Sequence, residues 1–222
     1  PHIEQGPVLE TKKIPLGIVT GIRGSFRFRD AFCKGEYLHS GATPYDYRKD
    51  SVVAVSNLVN EMNIFWKAQL KKNKDLVITF GQFFTDNEEH SFAKSSGLVN
   101  FCIDVRSNSK NTLEYTKKIL IKKIKLIEKQ TKTKFFLGKE TNSEPALMDK
   151  KLIKKCQIYS KMISMKFETM ASGAGHDASV FANHGIPSLM LFIRNKNGSH
   201  NPKEYMSIKN FEKVFKVLKG II

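Results

Sequence analysis

Between residues 25 and 137 the spacing of apolar side chains changes period in a fixed order, and that order limits the fold more than any other feature. Phe26 and Phe28 alternate with Arg27 and Arg29, the two-residue period of a strand with one exposed face. From about 49 to 72, Val52, Val55, Val59, Met62 and Trp66 recur three or four residues apart, as on an amphipathic helix. Two strand-like runs follow at 76–80 and 99–105, the second with Phe101, Ile103 and Val105 on one face. A second amphipathic helix at 113–127 and a closing strand at 134–137 complete the series. Strand, helix, strand, strand, helix, strand in this order predicts the ferredoxin-like split βαβ arrangement.

The flanking residues have a different pattern. Residues 15–23 are apolar and β-branched, as in a buried strand. Beyond 138 the spacing predicts a helix at about 149–166, a glycine turn, a short helix near 177–183, a buried strand at 188–193 and an amphipathic last helix. Strands alternating with helices predict a mainly parallel sheet with ligand-binding loops at its carboxyl edge. Two domains are therefore expected, one from 1–24 with 138–222 and one from 25–137. A hydrophobic content of 41% is enough for packed cores in both.

Charge and composition exclude several classes of function. No apolar run approaches the ~20 residues that span a bilayer, and no secretory signal is visible, so no membrane partner and a cytoplasmic location are expected. Cys33, Cys102 and Cys156 are odd in number and widely spaced, which reads as reduced thiols and not as a disulfide framework. The formal charge of +16 invites a nucleic-acid reading. The lysines of 117–125, however, are interleaved with apolar residues at helical spacing, as on a solvated helix face, and no nucleic-acid motif accompanies them. No nucleic-acid partner is expected.

Four histidines stand in turn-like segments rich in glycine, proline and serine: His2, His39, His176 and His200. An imidazole holds a transition metal well when an acceptor fixes its other ring nitrogen, and Glu4 and Glu204 lie two and four residues beyond His2 and His200. His200 also follows an apolar strand and Asn197-Gly198, placing it on a loop at a strand end. Asp177 fits a helix N-terminus. The plainer alternatives are a solvated terminal histidine for His2, a polar surface loop for His200 and a surface ion pair for Arg106. His184, before Gly185, reads as a helix C-terminal residue with no role in a site.

The segments HIEQGPVLE at 2–10, GIVTGI at 17–22, LHSGATPYDYRKD at 38–50, CIDVRS at 102–107, SGAGHDA at 172–178 and SHNPKE at 199–204 occur in one order along the chain. With them the chain resembles the zinc-type amidohydrolases of the M20 peptidase superfamily. The similar branch holds N-carbamoyl-L-amino-acid hydrolases, beta-ureidopropionases and allantoate amidohydrolases. The resemblance implies an α/β fold: part of a metallopeptidase-type α/β catalytic domain, with an inserted ferredoxin-like (βαββαβ) lid or dimerisation domain. It implies hydrolysis of a ureido C–N bond of N-carbamoyl-L-amino acids or a related ureido acid, using two divalent metal ions. Zinc is the expected ion, with manganese, cobalt or nickel able to replace it.

By the same resemblance His2 and His200 are metal ligands. His39 acts on the scissile carbonyl in the neighbouring subunit of a lid-joined homodimer. Arg106 grips the substrate carboxylate, and Ser199 also meets the substrate. Gln5 either donates an amide hydrogen bond to the ureido oxygen of the substrate or makes a structural hydrogen bond in its turn. Glu204, His176 and Asp177 support these groups from behind. Ala93 departs from the pattern, because the family usually carries an asparagine thirteen residues before the lid arginine. The further ligands (a His, an Asp and a Glu) and a Glu general base are expected upstream of Pro1. Allantoate amidohydrolase, aminoacylase or dipeptidase activity is the alternative, and a non-catalytic dimerisation fragment the second alternative.

Overall fold

Two strands that follow one another in sequence, Leu16–Ile22 and Gly24–Lys34, bury their side chains in different ways. In the first only Thr20 is less than buried, the signature of a strand covered on both faces. In the second Phe26 and Phe28 face the core and Arg27 and Arg29 the other side, as in a sheet covered once. The computed structural model describes residues 1–222, and its chain divides between these strands into two compact units. One unit is Pro1–Arg23 with Pro145–Ile222; the other is Gly24–Glu144.

The first unit begins with β1 (His2–Ile3), α1 (Val8–Lys12) and β2 (Leu16–Ile22). The second unit holds β3 (Gly24–Lys34), β4 (Leu38–His39), α2 (Ser51–Lys71), β5 (Val77–Thr79) and β6 (Phe83–Thr85). It continues through β7 (Lys94–Ser95), β8 (Leu98–Ser107), α3 (Lys110–Thr131), β9 (Lys134–Phe136) and β10 (Glu140–Ser143). The first unit then resumes with β11 (Ala146–Leu147), α4 (Lys150–Met162), β12 (Phe167–Ser172) and α5 (Ala178–Asn183). It ends with β13 (Leu191–Ile193), β14 (Asn195–Lys196), β15 (Tyr205–Met206) and α6 (Ile208–Ile221).

In Gly24–Glu144 the main sheet runs β10-β3-β8-β5, with β6 also on β8 and β9 also on β3, all antiparallel. This is the order of the split βαβ arrangement, and α2 and α3 cover one face. Phe26, Phe28, Phe101, Ile103 and Val105 meet Ala54, Leu58 and Met62 of α2 and Leu120, Ile124 and Ile127 of α3. The Asp50 carboxylate caps α2 by accepting from the Val52 and Val53 amides, and the Ser109 hydroxyl caps α3. The compact unit extends past residue 137 because Glu140–Ser143 pairs with Ser25–Phe28 across β3.

The sheet of the first unit is mixed, against the expectation of a mainly parallel one. β1 is parallel to β13 and β12 is parallel to β2, but β13 and β11 run antiparallel to β2. Helices α1 and α5, with five and six residues, rise too little at ~1.5 Å per residue to carry the chain back along a full strand, so β2 runs opposite to β1 and β13 opposite to β12. Leu16, Ile18, Leu191 and Ile193 pack under Cys156 of α4 and Val214 and Val217 of α6. Val19, Met190 and Phe192 pack on the other side with Leu9, Ala178 and Ala182.

Candidate active site

Three segments of the first unit bring their polar groups together. The first is the exit of β1. His2 Nδ1 lies 2.8 Å from the Ile3 carbonyl oxygen. A carbonyl only accepts, so Nδ1 carries the proton and the neutral ring keeps its lone pair on Nε2, where a metal would bind. Glu4 does not take the ring proton. Its carboxylate accepts from the Val8 amide at 2.8 Å and the Leu9 amide at 2.7 Å, holding the start of α1.

The second segment follows β12. His176 Nε2 stands 2.9 Å from the Ser172 hydroxyl, which itself donates to the Ala174 carbonyl at 3.0 Å. The imidazole is therefore the donor of the pair, with its proton on Nε2. The ring meets His2 edge-on, centroids 4.6 Å apart, and touches Phe192 on its other side. Burial and the neighbouring His2 hold the His176 pKa below the usual imidazole value, while Asp177 opposes them. Asp177 occupies the N-cap of α5, where its side chain makes no capping hydrogen bond.

The third segment, residues 195–204, follows β13. Gln5 Nε2 donates to the Ser199 hydroxyl at 3.1 Å and lies 3.4 Å from His200 Nε2, so it ties the exit of β1 to the His200 loop. Glu204 accepts from the backbone amide of His200 at 3.0 Å, and not from its ring as the sequence led one to expect. The hydroxyl of Ser199 and that amide hold the Glu204 carboxyl below its ordinary value, helped by the nearby imidazoles of His200 and His2.

His39 and Arg106 belong to the second unit. Instead of standing in a turn, His39 ends β4 and pairs across the ribbon with Lys94. Its Nδ1 accepts from the amides of Gly41 at 3.2 Å and Ala42 at 3.1 Å. Two donors on Nδ1 place the ring proton on Nε2, which is left as an outward donor. Ala93 supports this loop through its backbone, its carbonyl accepting from the Ser40 amide at 2.8 Å. Beside the ribbon a cleft of about 520 Å³ is lined by Asp50, Thr85, His90, Ser91 and Lys94 among others. Arg106 lies along β8 with its guanidinium on Asp104, at 3.0 Å from Nε and 2.6 Å from a terminal nitrogen. Asp104 lies mid-strand and also faces Arg27 at 3.2 Å.

As donors for a divalent cation His2 and His200 fit in kind, imidazole nitrogen being suited to zinc, nickel or cobalt. In number they fall short. Metal sites of this type use three or more protein ligands, and no group of three His, Cys, Asp or Glu side chains that could hold an ion is assembled here.

A family model described as peptidase family M20/M25/M40 matches residues 1–222. The chain belongs to that family. Within it the chain is 33% identical over 214 residues to an allantoate amidohydrolase of Bacillus subtilis (strain 168), covering 95% of this chain and 50% of the relative. It is 32% identical over 222 residues to an N-carbamoyl-L-amino-acid amidohydrolase of Pseudomonas sp. (strain NS671), covering 98% of this chain and 51% of the relative. Among solved structures, an amidase of the hydantoinase/carbamoylase family from Burkholderia multivorans superposes with a TM-score of 0.88 at 25% identity. That match covers 99% of this chain and 52% of the amidase. The chain spans about half the length of the curated M20 relatives it matches.

Two supporting side chains were given no role by the sequence. Ser172 opens the SGAGHDA segment but carries no sign of its bond to His176. Asn195 is 1% exposed and follows a buried strand, and a polar residue closing an apolar run is the only signal that could have found it.

Proposed function

We propose that the protein hydrolyses the ureido C–N bond of N-carbamoyl-L-amino acids or of a related ureido acid such as allantoate. The observation that carries this reading is the tie made by Gln5, which joins the loops of His2 and His200 into one polar cluster. The names of the M20 relatives narrow the chemistry to ureido and amide bonds. His2 and His200 are two ligands of a divalent metal centre, with zinc the first choice and further donors supplied by other protein groups. When bound, such ions polarise a carbonyl and make hydroxide available near neutral pH.

The chain's own residues orient the substrate around that centre. The Nε2–H of His39 donates to the ureido oxygen as it gains negative charge, from the partner subunit of a homodimer. Arg106, held in plane by Asp104, takes the substrate carboxylate. Gln5 and Ser199 hold the polar end of the substrate beside His200. His176 keeps the His2 ring in place, with Asp177 behind it, and Glu204 fixes the His200 backbone. Water adds to the ureido carbon, the bond to the terminal nitrogen breaks and ammonia leaves; the carbamate that remains loses carbon dioxide to give the free amine.

The test is ammonia release by the full-length protein, loaded with zinc or manganese, from N-carbamoyl-L-amino acids, N-carbamoyl-β-alanine and allantoate. Release that disappears in His200→Ala supports the reading and names the substrate class. Turnover of N-acyl amino acids or dipeptides, with no ammonia from the ureido acids, would replace it with an aminoacylase or peptidase.

A further inference from the structure

We infer that Asn195 is a positioning residue that sets the spacing of the two histidine-bearing loops; this rests on reading His2 and His200 as the imidazole pair of the site. Asn195 opens β14, pairs with Met206 through its backbone, and buries its side chain almost completely. Both ends of that side chain are used, and for different loops. Its oxygen accepts from the Gln5 amide at 3.1 Å, and its nitrogen donates to the Gly198 carbonyl at 2.8 Å. Gln5 lies 190 residues away in sequence, three residues beyond His2; Gly198 is two residues before His200.

Backbone conformation points to the same residue. Seven non-glycine residues have left-handed φ. Four of them (Lys13, Asn73, Lys132 and Ser164) come just after helices, where that conformation is ordinary. The other three, Gln5 (φ 63°), Asn197 (φ 64°) and His200 (φ 59°), are all in the two loops that Asn195 joins. Such conformations are disfavoured and persist where surrounding bonds over-determine them. The clamp supplies such a bond at the Gln5 amide and another at Gly198, between Asn197 and His200, while Glu204 holds the His200 amide itself. It fixes the Gln5 backbone, whose side chain reaches Ser199 and His200, and it fixes the carbonyl from which the Ser199-His200 segment departs. Without it the Gln5 amide and the Gly198 carbonyl lose their part-buried bonds to Asn195, and the loops lose their common reference.

The experiment is a double-mutant cycle on the full-length protein, using Asn195→Ala, His200→Ala and the pair. Zinc affinity is read by competition with a chelating indicator, and the His200 ring by long-range ¹H–¹⁵N correlation without metal. Asn195→Ala is expected to weaken zinc binding by ~10- to 100-fold, as loss of an outer support does, and to add little in the His200→Ala background. The His200 ring, whose Nε2 lies 3.4 Å from the Gln5 side-chain nitrogen, is expected to favour one tautomer in the parent and to average between tautomers in the variant. Asn195→Asp, which keeps the acceptor and loses the donor, should fall between the two and serves if the alanine variant does not fold. Unchanged zinc affinity with an unchanged His200 spectrum, whatever the melting temperature does, would overturn the proposal. So would a loss that is fully additive with His200→Ala. If the parent binds no zinc, the metal reading fails on its own, and the His200 spectrum alone decides for or against Asn195.

Discussion

Gly24–Glu144 and the unit formed by Pro1–Arg23 with Pro145–Ile222 solve the burial problem differently. The first places nineteen buried residues in one core between a sheet and two long helices. The second divides its apolar residues into cores of eight and seven, one on each face of a short-stranded mixed sheet. A single thick core lets a unit be regular, with capped helices and strands that alternate. The two-sided unit leaves its polar residues to the loops, and there His2, Gln5, His176, Ser199 and His200 meet. The outward donor of His39 is held by two amides of its own loop beside the two-stranded ribbon, whereas the loops at the sheet of the other unit hold its imidazoles.

The sharpest way to break this comparison is to remove one histidine from each unit. His200→Ala should lower ammonia release by more than ~10³-fold, as loss of a group acting within a single catalytic unit does. His39→Gln should lower kcat by ~10²–10³-fold, the range for losing one oxyanion donor. Neither should shift the melting temperature much, and equal small losses from both would sink the division of roles.

Packing gives the next effect. Trp66 is the only tryptophan, and its indole donates to the Leu76 carbonyl within Gly24–Glu144, so its fluorescence reports that unit. Phe101→Ala should destabilise the Trp66 transition in urea by ~3–5 kcal/mol. Leu191→Ala, buried in the other unit, should cost ~2–5 kcal/mol in far-UV signal and move the Trp66 transition far less. Equal shifts of the Trp66 transition would mean the units unfold as one.

Smaller effects separate the units further. The Asp50 and Asp149 carboxylates cap α2 and α4, and replacing either with alanine should cost ~1 kcal/mol in chemical denaturation. Burial pushes the Cys33 thiol up from 9.0 to about 11. The folded state thus keeps a proton that the unfolded chain releases. This contribution is fully present below pH 9 and is lost as pH rises through about 11. Cys33→Ser should flatten that alkaline decline in the Trp66 transition; a slope unchanged by the substitution would remove Cys33 as its cause.

Much of this was legible in the sequence, for physical reasons that differ between the units. Periods of two and of three to four survive wherever one face is wet, so Phe26–Phe28, Val52–Trp66 and the 113–127 stripe announced the split βαβ order. In β2 both faces are buried and the period vanishes; a buried strand could be named, but not its direction relative to β13. The histidine motifs marked where chemistry was to be sought, yet the partners of the rings were hidden. Glu4 looked like a ring acceptor and instead holds the α1 amides, and His2 uses the Ile3 carbonyl, which carries no sequence signal. Asn195 was hidden for the same reason: its value comes from bonds to groups that every residue carries.

His2 and His200 are proposed to serve one metal centre. X-ray absorption at the zinc edge of the loaded full-length protein measures the number of imidazole ligands directly. His2→Ala and His200→Ala are each expected to remove imidazole scattering from the parent spectrum. A spectrum that either substitution leaves unchanged would contradict it.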